Sequence, residues 1–160
     1  MTESNFTIGF IGLGLIGGSI AKGIRRVFPN YTLIGMDENP DTIKSALEEG
    51  IIDSVATDCK TDFADCNYVF LCAPVQYNVM YLKDLKESIN KDCILTDVGS
   101  VKEEIHLKIE ELGMEECFIG GHPMVGSEKA GFSFSSDRLV ENAYYFITPT
   151  KEIKRKLSGN

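Results

Sequence analysis

A glycine-rich turn near the amino terminus constrains the fold more than any other feature of this 160-residue chain. Gly12, Gly14 and Gly17 fit the spacing G-x-G-x-x-G, after a short apolar run and before a helix with an apolar stripe. In such a unit the first glycine permits a tight turn and the second lets a pyrophosphate approach the backbone. The third lets the helix pack closely on the strand. The motif therefore predicts a dinucleotide site.

Six short apolar runs alternate with segments of helical period. The runs are residues 6–11, 32–36, 68–72, 93–96, 118–120 and 144–148. Their apolar residues are consecutive, which is typical of strands covered on both faces. This order predicts an α/β domain, a doubly wound parallel sheet of Rossmann type. We place this dinucleotide-binding domain at residues 1–150 and interpret the polar residues 151–160 as the start of a segment cut short.

Composition limits the partners. The net charge is −8, which argues against nucleic acid or an anionic membrane as a partner. No apolar run approaches the roughly 18 residues of a membrane span, so we expect a cytoplasmic protein.

The five cysteines are scattered and have no CxxC spacing. They are better explained as core thiols of a reducing compartment than as disulfides or metal ligands, and we expect no metal site.

Asp37 strengthens the cofactor prediction. It stands 20 residues after Gly17, at the end of the second predicted strand, where a carboxylate would accept hydrogen bonds from ribose hydroxyls. Glu38 follows it and no arginine lies beside the pair, so a 2′-phosphate would be repelled. We predict NAD rather than NADP. The alternative is that Asp37 is an ordinary turn residue.

Further cofactor contacts are expected along the same edge of the sheet. The helix after the glycine turn, beginning with Leu15 and Ile16, would direct its N–H groups at the diphosphate. The next contacts, expected near the adenosine half, are Ala73, Pro74 and Val75. Asp97 and Ser100 would lie nearer the nicotinamide. Ser100 also fits a second interpretation, as the cap of a helix that begins near Val101.

His122 is the candidate for proton transfer. It lies in GGHPMVGSEKAGF, directly after an apolar run, so we expect it where a strand gives way to a loop. The unperturbed pKa of histidine, about 6.5, suits it to moving protons near neutral pH. The competing interpretation is a simple His-Pro turn. The other histidine, His106, lies in a helix rich in Glu and Lys and is expected at the surface.

These segments together resemble the prephenate dehydrogenase family, which includes arogenate and cyclohexadienyl dehydrogenases. The matching motifs are GLGLIGGS with Asp37, LCAPV, TDVGSVK, GGHPMVGSEKAGF and ITPT, between residues 6 and 150. The resemblance implies NAD-dependent oxidative decarboxylation of prephenate to 4-hydroxyphenylpyruvate, in tyrosine biosynthesis. It makes His122 the catalytic histidine and Ser100 the serine that orients it. It also places Ser127 and Glu128, with His122, at the substrate.

The family pattern includes a second, helical domain that dimerises and supplies an arginine for a substrate carboxylate. We therefore expect this chain to be the cofactor domain of a longer enzyme, weakly active or inactive alone, with homodimer formation only through that further domain. Arogenate is an alternative substrate. Another NAD(P)-dependent hydroxyacid dehydrogenase, or a regulatory module that senses NAD without chemistry, are the alternative functions.

Overall fold

A computed structural model describes residues 5–159 as a seven-stranded β-sheet with helices on both faces. The strands are β1 Thr7–Ile11, β2 Thr32–Met36, β3 Ser54–Val55, β4 Tyr68–Leu71, β5 Ile94–Asp97, β6 Phe118–Pro123 and β7 Tyr145–Pro149. The helices are α1 Leu15–Val27, α2 Pro40–Glu48, α3 Val75–Ser88, α4 Glu103–Leu112 and α5 Lys151–Ser158.

The strand order β3-β2-β1-β4-β5-β6-β7 confirms the doubly wound sheet. Strands β1 to β6 are parallel, and the order reverses between β1 and β4. Helices α1 and α2 pack against one face through Ile20, Ala21 and Ala46. The other face buries apolar residues of α3 and α4, which are Leu82, Leu85, Ile105 and Ile109. Because parallel strands end at one edge, the loops after them meet there.

The last strand differs from the prediction. Strand β7 runs antiparallel to β6, with Ile119 opposite Pro149 and Pro123 opposite Tyr145. Its residues are largely exposed, Phe146 by 58% and Ile147 by 63%. The expectation that every strand is covered on both faces is therefore wrong for β7. Its apolar run is consecutive although it forms a sheet edge.

Local sequence signals predicted both ends of α2 correctly. The Asn39 side chain accepts a hydrogen bond from the Asp41 nitrogen, and Pro40 begins α2, as their sequence predicts. Gly50 follows the end of that helix with a φ of 66°. The short strand β3 was not predicted, because Ser54–Val55 forms no apolar run.

Residues 151–158 form α5, which packs against the short 3-10 turn Glu115–Cys117 that precedes β6. Thr150 caps α5 by accepting a hydrogen bond from the Ile153 nitrogen, and Ile153 is fully buried. The Thr150 hydroxyl also donates to the Glu115 carbonyl. A domain boundary at residue 150 stays a prediction. Among residues 5–159, no helix is long and apolar enough to cross a membrane.

Candidate functional site

Two glycines of the G-x-G-x-x-G motif, one in the turn after β1 and one in the first turn of α1, are required by close backbone contacts. Gly12 has a φ of 91°, and a Cβ atom there would lie 2.6 Å from the Ala73 nitrogen. A Cβ atom at Gly17 would lie 2.2 Å from the Gly12 oxygen. Larger residues would push β4 away from the turn or lift α1 off it. The turn and the packing contact expected of a G-x-G-x-x-G unit are thus both present.

Gly14 faces open space instead. It is the N-cap residue of α1 with a φ of −70°, and a Cβ atom built there meets nothing within 4 Å. Within the described chain no side chain caps α1, and the first turn from Leu15 contains no acidic residue. Unpaired N–H groups at a helix start favour phosphate and other anions. This end of α1 is therefore accessible to an anionic group.

Asp37 lies directly after β2 and anchors the glycine turn. One carboxylate oxygen accepts a hydrogen bond from the Leu13 nitrogen at 2.7 Å, and the other accepts one from the Asn39 nitrogen at 2.9 Å. Each carboxylate oxygen can accept a second bond, so Asp37 keeps capacity for a ligand. Its role in shaping the turn was not foreseen.

A cavity of about 740 Å³ opens beside the turn. It is lined by five of the residues expected at the cofactor, namely Gly12, Gly14, Asp37, Ala73 and Pro74. Sequence reasoning missed further lining residues, among them Thr57, Asp58, Tyr77, Tyr81 and Asp84. The volume is within the range of small-molecule sites. The site thus combines an uncapped, open helix start with an adjoining pocket.

The walls of this cavity are acidic. Asp37, Glu38, Asp58 and Asp84 all line it. Lys60 lies 3.8 Å from the Asp84 carboxylate, as an exposed pair. Such a wall suits the hydroxyls of a ribose and repels an added phosphate.

His122 lies on β6 at the same edge of the sheet. It is half-buried and pairs with Phe146 of β7. We expected His122 in a loop, but β6 continues to Pro123 because β7 extends the pairing. The histidine backbone is therefore held in a strand, and rigid elements hold a reacting side chain more precisely than loops do.

Asp97 ends β5 and is 1% exposed. One carboxylate oxygen accepts the N–H of Gly121, the neighbour of His122, at 3.1 Å. The other accepts the N–H of Gly99 at 3.1 Å and pairs with the Lys102 ammonium at 2.5 Å. Asp97 therefore connects the β5–α4 loop to the histidine strand.

Residues 20–158 match the family model described as "Prephenate dehydrogenase, nucleotide-binding domain". The chain belongs to this family. It is 35% identical over 158 residues to a prephenate dehydrogenase of Bacillus subtilis strain 168, and the match covers 98% of this chain and 43% of that protein. The chain thus spans less than half the length of this curated relative.

Solved structures of the family have the same fold as this chain. The prephenate dehydrogenase of Aquifex aeolicus, in complex with hydroxyphenyl propionate and NAD+, superimposes with a TM-score of 0.87 at 34% identity, covering 99% of this chain and 56% of that one. The Synechocystis arogenate dehydrogenase superimposes with a TM-score of 0.84 at 33% identity, and the match covers 96% of this chain and 53% of that one. These comparisons agree with NAD as the cofactor expected from the sequence.

The family motif TDVGSVK folds differently from one of the expectations. Ser100 is exposed, and α4 begins at Glu103 with Lys102 as its N-cap residue and no side-chain cap. The interpretation of Ser100 as the helix cap is therefore wrong. Asp97 binds Gly99 and Lys102, which keeps this segment outside the helix. The proposed contact of Ser100 with His122 stays a prediction.

The remaining predicted residues of the family site surround this edge. Leu15, Ile16 and Gly17 form the first turn of α1, and Val75 begins α3 with its side chain against the core. Ser127 and Glu128 lie exposed in the segment after β6. The Ser127 hydroxyl accepts a hydrogen bond from the Lys129 nitrogen at 3.1 Å. Their contact with a substrate stays a prediction.

Two residues near His122 differ from the expectations. His106 was expected at the surface, and Tyr145 was not expected near the site at all. His106 is half-buried, 3.2 Å from the Thr148 hydroxyl and edge-on to the Phe118 ring, so it is not a freely solvated surface residue. Tyr145 passes over Gly121, where a Cβ atom would lie 2.7 Å from its hydroxyl. Burial raises the pKa of Tyr145 to about 12, with Cys72 and Asp97 adding to the effect. A glycine pair before a histidine was the available signal for such a close neighbour.

The described cysteines are all free. Burial raises the pKa of the Cys72 thiol, which lies beside the glycine turn, and the nearby Asp97 adds to this rise. Among residues 5–159, no group of three or more His, Cys, Asp or Glu is placed to hold a metal ion.

Proposed function

We propose that this chain binds NAD and forms the cofactor-binding part of a dehydrogenase that converts prephenate to 4-hydroxyphenylpyruvate. The observation that supports this most is the placement of His122 on the same sheet edge as the open glycine turn, with Asp97 between them. The family match adds to it, because the family model describes a nucleotide-binding domain.

The residues present fit NAD. Gly14 leaves room for a pyrophosphate at the start of α1, and the adjoining cavity is large enough for part of a dinucleotide. Asp37 and Glu38 line that cavity with free acceptor capacity for ribose hydroxyls. The same charges disfavour the 2′-phosphate of NADP.

When bound, NAD supplies the hydride acceptor for the ring carbon that bears the hydroxyl. The imidazole of His122 takes the hydroxyl proton as the carbonyl forms, and loss of carbon dioxide then makes the ring aromatic. A positioned general base of this kind contributes about 10²–10⁴-fold to the rate. Ser100 orients the imidazole, and Ser127 and Glu128 border the substrate.

Arogenate is the second candidate substrate. The Synechocystis arogenate dehydrogenase is similar to this chain almost to the same degree as the Aquifex aeolicus prephenate dehydrogenase, with TM-scores of 0.84 and 0.87. The two substrates differ only in a side-chain amino or keto group. A direct comparison of turnover with both substrates separates them.

The two carboxylates of prephenate require cations, and this chain is acidic. The net charge is −8, and the Lys102 ammonium is engaged by Asp97. Carboxylates are held best by bidentate arginine. We infer that residues 1–160 bind NAD alone but turn over little prephenate, and that the carboxylate arginine and the dimer contact belong to a further helical domain. A normal kcat/KM for prephenate with these residues alone would contradict this inference.

Two matched glycine variants test the NAD site. Gly14→Ala adds a methyl group that meets no protein atom within 4 Å, so it should leave folding intact while occupying the phosphate approach. Gly126→Ala also meets nothing within 4 Å, but it lies beyond β6. By calorimetric titration, Gly14→Ala should lose at least about tenfold in NAD affinity, or roughly 1.4 kcal/mol, and Gly126→Ala should lose none. Equal affinity in both variants, or preference for NADP, would refute this cofactor site.

A further inference from the structure

The backbone pairing between β5 and β6 ends before His122. The paired residues are Leu95 with Phe118 and Thr96 with Ile119. Beyond them, the N–H of Gly121 finds its acceptor in the Asp97 carboxylate at 3.1 Å. A side chain thus replaces the next rung of the sheet, one residue before His122.

The same carboxylate holds the opposite side of this gap. Its second oxygen accepts the N–H of Gly99 and pairs with Lys102, the residue that precedes α4. Both oxygens therefore already accept hydrogen bonds from groups of this chain. The buried position of Asp97 argues against the direct cofactor contact expected from the sequence.

We propose that Asp97 is a positioning residue, which sets the spacing between the Ser100 loop and the strand that carries His122. The proposal rests on the proposed function in one respect only, the assignment of proton transfer to His122. A charge-assisted hydrogen bond is roughly twice as strong as a neutral one, so the carboxylate fixes this spacing better than an amide would.

Other groups pack around Asp97 but do not span the gap. The Tyr145 ring covers Gly121 from β7, and Cys72 lies near the same carboxylate from the end of β4. The backbone bonds to β7 fix the outer side of β6. On the inner side of β6, the Asp97 side chain accepts the Gly121 N–H.

Amide hydrogen exchange of the wild-type chain provides the first test and requires no variant. The Gly121 amide lies past the last β5–β6 backbone pair, and its acceptor on the β5 side is the Asp97 carboxylate. We expect exchange of this amide to be at least about tenfold slower than that of an exposed amide, as a hydrogen bond to a charged group predicts. An unprotected Gly121 amide would overturn the proposal.

Asp97→Asn is the second test, with Asp53→Asn as its matched control. Asp53 also accepts a strand N–H, from Leu33 at 2.7 Å, and pairs with a cation, Arg25 at 2.6 Å, far from His122. In NMR spectra Asp97→Asn should speed exchange at Gly121 and shift the His122 ring signals. Asp53→Asn should change neither. A folded Asp97→Asn variant with unshifted His122 signals would overturn the proposal.

Ligand binding and turnover distinguish this role from plain stabilisation. The NAD affinity of Asp97→Asn should match that of the wild type, because Gly14 and Asp37 are untouched. In a natural, longer form of the protein that turns over prephenate, kcat should fall by about 10²-fold, the cost of a misplacement near 1 Å, at an unchanged KM for NAD. An unchanged kcat would overturn the proposal. Failure of the wild type to bind NAD would refute the proposed function and leave the exchange results standing.

Discussion

Asp53 and Asp97 perform the same structural task at opposite edges of one sheet, but in different surroundings. Asp53 joins Leu33, near the start of β2, to Arg25 of α1, and its side chain is 48% exposed. Asp97 joins the end of β5 to β6 and is almost fully buried. The first bridge lies where loops close over the core. The second lies where the glycine turn, the cavity and His122 meet.

The amino-terminal edge around Asp53 is closed by side chains that satisfy strand ends. Asn67 accepts the first N–H of β1, and Arg25 donates to the carbonyls of Pro29 and Tyr31. The carboxyl-terminal edge leaves the first turn of α1 uncapped and a cavity open. We propose that stability and ligand chemistry are divided between the two edges, and the first two of the three predictions below test this division.

The largest effect is expected from His122→Asn at the carboxyl-terminal edge. In a natural, longer form of the protein that turns over prephenate, kcat should fall about 10²–10⁴-fold, because the proton acceptor is lost. NAD affinity and thermal stability should stay close to wild type, since His122 lies outside the 740 Å³ cavity and is only half-buried. Steady-state rates and titration calorimetry measure both. A variant that keeps its turnover would show that His122 is not the proton acceptor. A protein without turnover that responds to NAD equally with and without His122 would favour a regulatory NAD-sensing module over an enzyme.

At the amino-terminal edge, Asp53→Ala should affect stability instead. It leaves the Leu33 N–H without its acceptor and Arg25 without its carboxylate. We expect a loss of about 1–3 kcal/mol in the free energy of unfolding, measured with urea. Glu48→Gln is the control, because its pair with Lys44 at 3.9 Å is exposed and should contribute less than about 0.5 kcal/mol. A changed NAD affinity in Asp53→Ala would break the division between the edges.

The smallest effect concerns alkaline pH and the thiols that precede β4 and β5. Burial raises the pKa of Cys66 and of Cys93 from the ordinary 9.0 to about 12. In the unfolded chain these thiols lose their protons near pH 9, while the folded chain keeps them to about pH 12. These two thiols should therefore leave the stability unchanged below about pH 9 and lower it as the pH rises from 9 towards 12.

Urea unfolding at pH 8 and pH 10 under reducing conditions measures this decrease. Cys66→Ala and Cys93→Ala should each make the dependence on pH shallower, although each variant is less stable at pH 8 because a buried side chain is shortened. If the free energy of unfolding changes with pH in both variants as it does in the wild type, these two thiols do not contribute to the pH dependence.

Much of the fold follows from the sequence because the relevant signals are local. Consecutive apolar residues marked the strands of the parallel sheet, and Asn39 with Pro40 marked the start of α2. The direction of β7 was not predictable, because an apolar run carries no information about the orientation of its neighbour. Strand β3 was too short to form a pattern.

The site was predictable at its glycines and less so at its carboxylates. The spacing of Gly12, Gly14 and Gly17 requires a specific backbone path, and the structure has it. The anchoring of Leu13 by Asp37, and of Gly121 by Asp97, depends on which strands become neighbours. Such contacts between residues 24 positions apart leave no mark on local spacing.

The antiparallel pairing of β6 with β7 has a consequence for the order of folding during synthesis. His122 leaves the ribosome before residues 145–149, which form its outer partner strand. Until those residues emerge, the strand bearing the histidine is an open border of the nascent sheet, able to pair with foreign chains. Residues 145–149 thus complete the pairing around His122 only after the glycine turn between β1 and α1 has been synthesised.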